Sequence, residues 1–401
     1  MTSHLRIKDP ATIASAVAAA CTLTLAACGG GGGSAMLMNP PPPPPPPPGF
    51  VDTALVSNAA GVVATTSIID ANLQNPWGIA FAPGQPFWIA DNNSNLTTLY
   101  DGTGAVQTGG ITGSNATGIA IPAGVQAAAN PTGQVYNGTS DFAVVTSSGP
   151  QPASFIFDGE GGTIAGWAGG NSAVTAYDDG IVNGANHAVY KGLAIGSVAG
   201  VNYLYATDLH NNKIDVFDTN YSLPPAMQGK FVDPSMPAGF VPFGITPVNM
   251  GGMAELMVTY AQQDSLKHDE TTGAGLGYVD LFDMSGTFVS RFVSQGALNA
   301  PWGIAVAPAG FGSLAGDVLI GNFGDGHINA YSPTGTFVIA LAVNTGGTVA
   351  IPGLWSLVFG DGLTADKPVT TLFYTAGFAN QTDGVLGTIT VSQSTSGGNP
   401  Y

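Results

Sequence analysis

Apolar residues along the chain come in short bursts separated by Gly, Asn, Asp and Pro. Phe87-Trp88-Ile89-Ala90, Phe142-Ala143-Val144-Val145, Tyr203-Leu204-Tyr205-Ala206, Leu256-Met257-Val258-Thr259, Asp317-Val318-Leu319-Ile320 and Leu372-Phe373-Tyr374-Thr375 are rich in β-branched and aromatic side chains. Bursts of this kind, with turn residues on both sides, predict strands. A small-residue motif precedes each. Asn75-Pro76-Trp77-Gly78-Ile79-Ala80 is nearly copied by Asn299-Ala300-Pro301-Trp302-Gly303-Ile304-Ala305. Looser versions are Val241-Pro242-Phe243-Gly244-Ile245-Thr246, Tyr190-Lys191-Gly192-Leu193-Ala194-Ile195, Pro352-Gly353-Leu354-Trp355-Ser356-Leu357 and Ala116-Thr117-Gly118-Ile119-Ala120-Ile121. A third strand follows, ending in an aromatic-Asp pair: Tyr100-Asp101, Phe157-Asp158, Phe217-Asp218 and Phe282-Asp283. A carboxylate at a strand end with Gly nearby is hairpin-turn chemistry, so these aspartates are expected to be structural. A fourth strand returns, as in Gly286 to Ser290 and Gly335 to Ile339.

Self-similarity at intervals of roughly 40 to 70 residues signals a repeat architecture whose units must stack to bury their apolar faces. The expected fold is all-β, a six-bladed β-propeller of four-stranded antiparallel blades spanning residues 50–392. The small-residue motif belongs on each innermost strand, where chains crowd, with the Trp or Phe before the Gly wedged between blades. The last unit lacks a fourth strand, and Thr53 to Ser57 is a spare strand at the other end. Pairing the two would close the ring and cover an open edge. A seventh blade would require splitting one unit.

Composition agrees. Only 8% of the 401 residues are charged, 58 are Gly and 29 Pro, which disfavours helices with solvated charged faces. The net charge of −17 without any Lys/Arg cluster excludes nucleic acid as a partner. The two cysteines, Cys21 and Cys28, lie near the N-terminus, so the propeller body has neither a disulfide framework nor a thiolate metal site.

The first 27 residues read as an export signal, with Arg6 and Lys8 before an alanine-rich apolar stretch too short for a good membrane span. Leu25-Ala26-Ala27-Cys28-Gly29 resembles the lipobox of bacterial lipoproteins, which would make Cys28 the lipidated first residue. The alternative is ordinary cleavage after Ala27. Gly29 after the cysteine resembles lipoproteins passed to the outer membrane. Residues 28–49 form a Gly/Pro-rich tether in which Pro40 to Pro48 would make a polyproline rod of about 28 Å. Residues 393–401 are a polar tail.

The Pro-Trp/Phe-Gly-Ile-Ala motif with its Val-Phe-Asp strand end resembles the NHL repeat of six-bladed propellers. Gly192-Leu193-Ala194, Asp208 to Asp218, and Gln263-Asp264 with Lys267-His268-Asp269 resemble a family of exported bacterial propellers without assigned activity. Propellers similar to NHL proteins include metal-dependent lyases and hydrolases as well as binding platforms. Fold alone does not choose between them.

In an up-and-down blade, the loop entering the blade and the loop joining its second and third strands share one face. His187 precedes an innermost strand, and His210, His268 and His327 fall in second-to-third-strand loops, so all four are expected on one face. Asp91, Asn92, Asp208, Asp264, Asp269 and Asp325 occupy the same loops. His with Asp or Asn at a channel mouth suits zinc or calcium, with His187, His210 and His268 as the candidate ligands. No close-spaced ligand motif accompanies them. The expectation is a lipid-anchored module that binds a small ligand or protein at this face. The alternatives are a metal-dependent lyase or hydrolase at the channel mouth, and a structural cell-envelope protein.

Overall fold

The computed structural model describes residues 49–64, 66, 68–108 and 118–392. The expected signal peptide with Cys28, the proline rod and the polar tail lie outside the described residues. Six antiparallel sheets carry the chain in order around a ring. Blade 1 is Pro76–Ala80, Phe87–Asp91, Leu96–Tyr100 and Ile119–Ala120. Blade 2 is Pro131–Tyr136, Phe155–Gly159, Thr163–Trp167 and Val174–Asp178. Blade 3 has three strands, Tyr190–Val198, Val201–Asp208 and Lys213–Phe217. Its outer edge is covered by irregular chain, from which Gln228 Nε2 donates to Val216 O at 2.7 Å. Blade 4 runs Phe240–Met250, Met253–Gln263, Tyr278–Asp283 and Phe288–Ser294. Blade 5 runs Pro301–Val306, Val318–Asn322, Ile328–Tyr331 and Phe337–Ala340.

Blade 6 closes the ring. Leu354–Phe359, Leu372–Ala376 and Val385–Val391 are completed by Phe50–Ser57, which pairs antiparallel with Val385–Val391 from Phe50↔Val391 to Ser57↔Val385. The spare N-terminal strand thus covers the edge that the last unit leaves open, as expected.

Two strand assignments in blade 2 are corrected. Ile119–Ala120 is the outer strand of blade 1, and the innermost strand of blade 2 is Pro131–Tyr136. The cause is a disguised motif: Thr132 stands before Gly133 where other blades have an aromatic. Ala143–Thr146 is no second strand either. It pairs only with Gly149–Pro152 in an added hairpin, entered through Phe142 at φ 58°. Phe155–Gly159 is therefore the second strand, and Asp158 is not a turn residue. It is buried, accepting from Thr132 Oγ1 at 2.9 Å and Gly133 N at 2.6 Å, and burial pushes its carboxyl up to about 7. Asp101, Asp218 and Asp283 do bond local turn N–H groups, such as Asp283 Oδ1 with Ser285 N at 2.8 Å.

The innermost strands share one device. In every blade the register slips by one residue at the motif, as between Pro76↔Asp91 and Ile79↔Ile89 or Pro301↔Asn322 and Ile304↔Ile320. An extra residue in one strand bends it and re-aims a side chain. Here it turns Trp77, Phe243, Trp302 and Trp355 to the ring's centre rather than between neighbouring blades, correcting the expected wedge. Trp77 and Phe243 come from opposite blades, 1 and 4, yet their rings meet edge to face at 6.3 Å. Trp77 also stacks on Trp355 at 3.4 Å and meets Trp302 at 5.9 Å, so the rings close the axis at this level, beside a hollow of about 340 Å³ lined by the innermost strands. Burying each indole contributes about 4–6 kcal/mol, at about 25 cal/mol per Å² over 150–250 Å².

The glycine after each motif aromatic is there because strands nearly touch. A Cβ on Gly303 would lie 2.3 Å from Trp355 O, and one on Gly244 would lie 2.3 Å from Trp302 O. Blade 6 carries Ser356 at this position instead. Gly303→Ala is expected to lower stability by about 1–3 kcal/mol, measured by urea unfolding, whereas Ser356→Gly costs less. Equal losses would contradict this account of the axis.

Candidate functional site

Above the aromatic plug, on the face carrying the entry loops and the second-to-third-strand loops, sits a network centred on Lys191. This lysine occupies the plug position of blade 3, in place of an aromatic, and its side chain is 1% exposed. Its ammonium bonds Glu160, lies 3.2 Å from Asp269 Oδ1 and stands 5.3 Å from the centre of the Trp77 ring. Its backbone oxygen accepts from Trp302 Nε1 at 2.8 Å. Burial opposes the ammonium's charge, but Glu160, Glu270 and Asp269 outweigh it and hold its pKa above the usual lysine value. Burial also pushes Glu270 up to about 7, against the pull of Lys191.

Four expected residues, Asp269, His268, Asp264 and Asn92, join this network. His268 Nδ1 lies 2.9 Å from Asp269 Oδ1. That hydrogen bond raises the imidazole's pKa and, aided by Lys191, holds Asp269 below the usual carboxylate range. Asp264 folds the loop beneath them, its Oδ1 accepting from His268 N at 2.9 Å. Asn92 is tied in through Nδ2, 3.0 Å from Glu160 Oε2. Among the described residues, Glu160, His268 and Asp269 bring ligand-type atoms within 4.8 Å of one another.

His187 and His210 stand apart from that group. His187 Nδ1 lies 2.8 Å from Ala188 O, and His210 Nδ1 lies 3.1 Å from Lys267 O. The His187, His210, His268 trio is not brought together. Asp91 and Asp208 are buried and hold backbone, Asp91 accepting from Thr98 N of the neighbouring strand at 2.9 Å and Asp208 from Asn211 N of its loop at 3.1 Å. Asp325 ties Asn322 and Asn299 at 3.1 and 3.2 Å, with His327 3.6 Å away.

A second feature of this face is a well of about 350 Å³ between blades 5 and 6, lined by Phe323, Asp325, Pro352, Asn380 and Gln381. Phe323, backed by Trp355 on which it stacks at 4.2 Å, is its aromatic surface. Its wall contains three successive non-glycine residues in the left-handed region: Ala379 (φ 50°), Asn380 (φ 54°) and Gln381 (φ 68°). The run is pinned by Asn75 Nδ2 to Gln381 Oε1 at 3.1 Å and Asn93 Nδ2 to Gln381 O at 2.6 Å. Glu160, Lys191, Phe323 and this wall escape a search for histidine and Asp/Asn loops. The one available signal was Lys191, a rare cation standing where the repeat has Trp or Phe.

Six antiparallel sheets ringed about an aromatic-filled axis define the chain as a six-bladed β-propeller. No protein-family model matches it. It is 35% identical over 348 residues to Uncharacterized protein R648 of Acanthamoeba polyphaga mimivirus, covering 84% of this chain and 80% of that protein. With Uncharacterized protein L690 of the same virus it shares 30% identity over 332 residues, covering 81% and 82%. The chain belongs to the family of these two proteins. The relatives found are viral and lend no support to the expected kinship with exported bacterial propellers. The solved structure of a streptogramin B lyase is similar at TM-score 0.47 and 14% identity, over 86% of this chain and 98% of that one. The PQQ-bound aldose sugar dehydrogenase of Streptomyces coelicolor is similar at TM-score 0.43 and 14% identity, over 86% and 100%.

Lys191→Met keeps the buried stem and removes the charge. Burial already holds the Glu270 carboxyl up at about 7, and removing the ammonium takes away the charge that pulls it down, so in the variant it titrates higher still in the folded chain. Its contribution is then intact below about pH 4 and lost as pH rises through its elevated folded value. The variant is expected to lose about 3–5 kcal/mol at pH 8 and distinctly less at pH 5, read from thermal melts. A loss independent of pH would contradict the assignment.

Proposed function

We propose that this propeller is an exported, lipid-anchored binding module whose small ligand or protein partner docks at the mouth of the histidine-bearing face. The observation that carries the reading is the well lined by Phe323, with its strained wall. Non-glycine residues in the left-handed region cost of order 1–3 kcal/mol each and persist where surrounding contacts over-determine them, commonly at ligand clamps. A mostly preformed concavity with an aromatic surface and a few polar groups fits ligand capture. The address rests on residues 1–28, with lipidation at Cys28 and an outer-membrane destination.

A second reading, a metal-dependent lyase or hydrolase, is favoured by the grouping of Glu160, His268 and Asp269. Imidazole and two carboxylates suit zinc, or calcium through the oxygens. Lys191 already neutralises those carboxylates, which places this reading second. Added zinc or calcium should then raise the Tm of the wild type but not of His268→Ala; no Tm change in the wild type removes the metal reading.

Two outcomes test the main reading. Cys28→Ala is expected to move the protein from the membrane fraction to the soluble fraction of the source cells, and unchanged fractionation would refute the anchor. Labelled propeller lacking residues 1–49 should bind envelope material of those cells saturably, and Phe323→Ala should weaken that binding about tenfold, equal to ~1.4 kcal/mol. Undiminished binding by the variant would move the site elsewhere.

A further inference from the structure

The opposite face, formed by first-to-second-strand and third-to-fourth-strand loops, holds a larger cleft of about 530 Å³ between blades 1 and 2. Its wall is a row of aromatics placed by strand register. Phe155 pairs with Tyr136 on one side and with Trp167 on the other, so three rings stand on adjacent strands of blade 2. Trp88 of blade 1 stacks on Phe155 at 4.0 Å and 14°, and meets Trp167 at 4.7 Å. Trp88 and Phe155 are each 4% exposed and make the foundation, while Tyr136 and Trp167 are partly open to solvent. Trp167 is held in place by Nε1 donating to Gly170 O at 2.9 Å.

The rim is polar but uncharged. Gln85, Gln107, Thr108 and Ser154 surround the rings, and among the described residues no Asp, Glu, Lys, Arg or His lines the cleft. That neutrality is informative in a chain with 25 acidic residues and a net charge of −17. The side-chain amide of Gln85 and the hydroxyls of Tyr136 and Ser154 make no hydrogen bond among the described residues, leaving donors and acceptors for a ligand.

We propose that this cleft binds a neutral saccharide. A pyranose has an apolar C–H face that can lie on an aromatic ring, and hydroxyls around its edge that pair with amides and hydroxyls. The described lining itself offers a charged ligand no counter-charge; the nearest charges, Asp101 behind Gln107 and Lys367 behind Gln85, are already engaged with those rim residues. A wholly apolar one would desolvate the rim groups without replacing their hydrogen bonds with water. The volume lies within the range of roughly 300–1,000 Å³ common to small-ligand sites. The site is on the other face from the Phe323 well and does not depend on it.

The test is titration of the whole propeller with four neutral oligosaccharides, cellohexaose, maltohexaose, laminarihexaose and N-acetylchitohexaose, followed by calorimetry and tryptophan emission. At least one is expected to bind saturably with a change in emission, and oligogalacturonate is not. Trp167→Ala should weaken the bound sugar about tenfold or more, about 1.4 kcal/mol, with Phe323→Ala unchanged. Gln85→Ala, a surface change that leaves the aromatic row intact, should weaken it several-fold and serves if Trp167→Ala fails to fold. Absence of binding by all four sugars at about 10 mM, near the millimolar limit of weak affinity, overturns the proposal. So does binding that Trp167→Ala in folded form, or Gln85→Ala, leaves unchanged.

Discussion

The contact on which everything else rests is the near-touching of neighbouring innermost strands at the axis. Carbonyl oxygens of one blade occupy the space where a side chain of the previous blade would begin, so each repeat needs Gly or at most Ser there. The same one-residue bulge that brings these strands together throws the preceding side chain onto the axis. Four of the six such positions are aromatic, and their rings seal the pore. A ring held by six separate sheets has no other continuous core, since each blade packs chiefly on its two neighbours. The plug is where blades that are not neighbours make contact.

The two non-aromatic axis positions shape the mouth. Thr132 is short and is bonded by Asp158, which leaves room on that side. Lys191 fills part of it with a buried ammonium that gathers Glu160 and the charged loop of blade 4. Breaking such a group by removing one member costs more than the pair itself contributes, because the remaining charges stay desolvated. The cluster therefore fixes the position of the His268 loop over the pore, while the Phe323 side of the mouth is left concave.

Much of this was legible in the chain. Spacing of the small-residue motifs points to six blades, and the missing strand after Val391 points to its replacement by Thr53 to Ser57, which the fold extends back to Phe50. Blade 2 was misread because Thr132 hides the motif and a hairpin is inserted before Phe155. Phe-Asp-Gly looks the same at a hairpin and within a strand, so the sequence alone makes Asp158 a turn residue. Loop topology placed the histidines on one face, but which of them meet depends on side-chain direction and on Lys191, a partner distant in sequence. The aromatic row of Tyr136, Phe155 and Trp167 was invisible for the same reason: it exists only once register is set.

The sealed axis is tested most directly by a double-mutant cycle on Trp77→Ala and Phe243→Ala, using urea unfolding. The two residues lie in opposite blades, so they can influence one another only across the centre of the ring. The account predicts a coupling of about 1 kcal/mol or more, within the range of 0.5–3 kcal/mol seen for residues in contact. Additive losses would mean that the rings do not meet and that the pore is not closed by them.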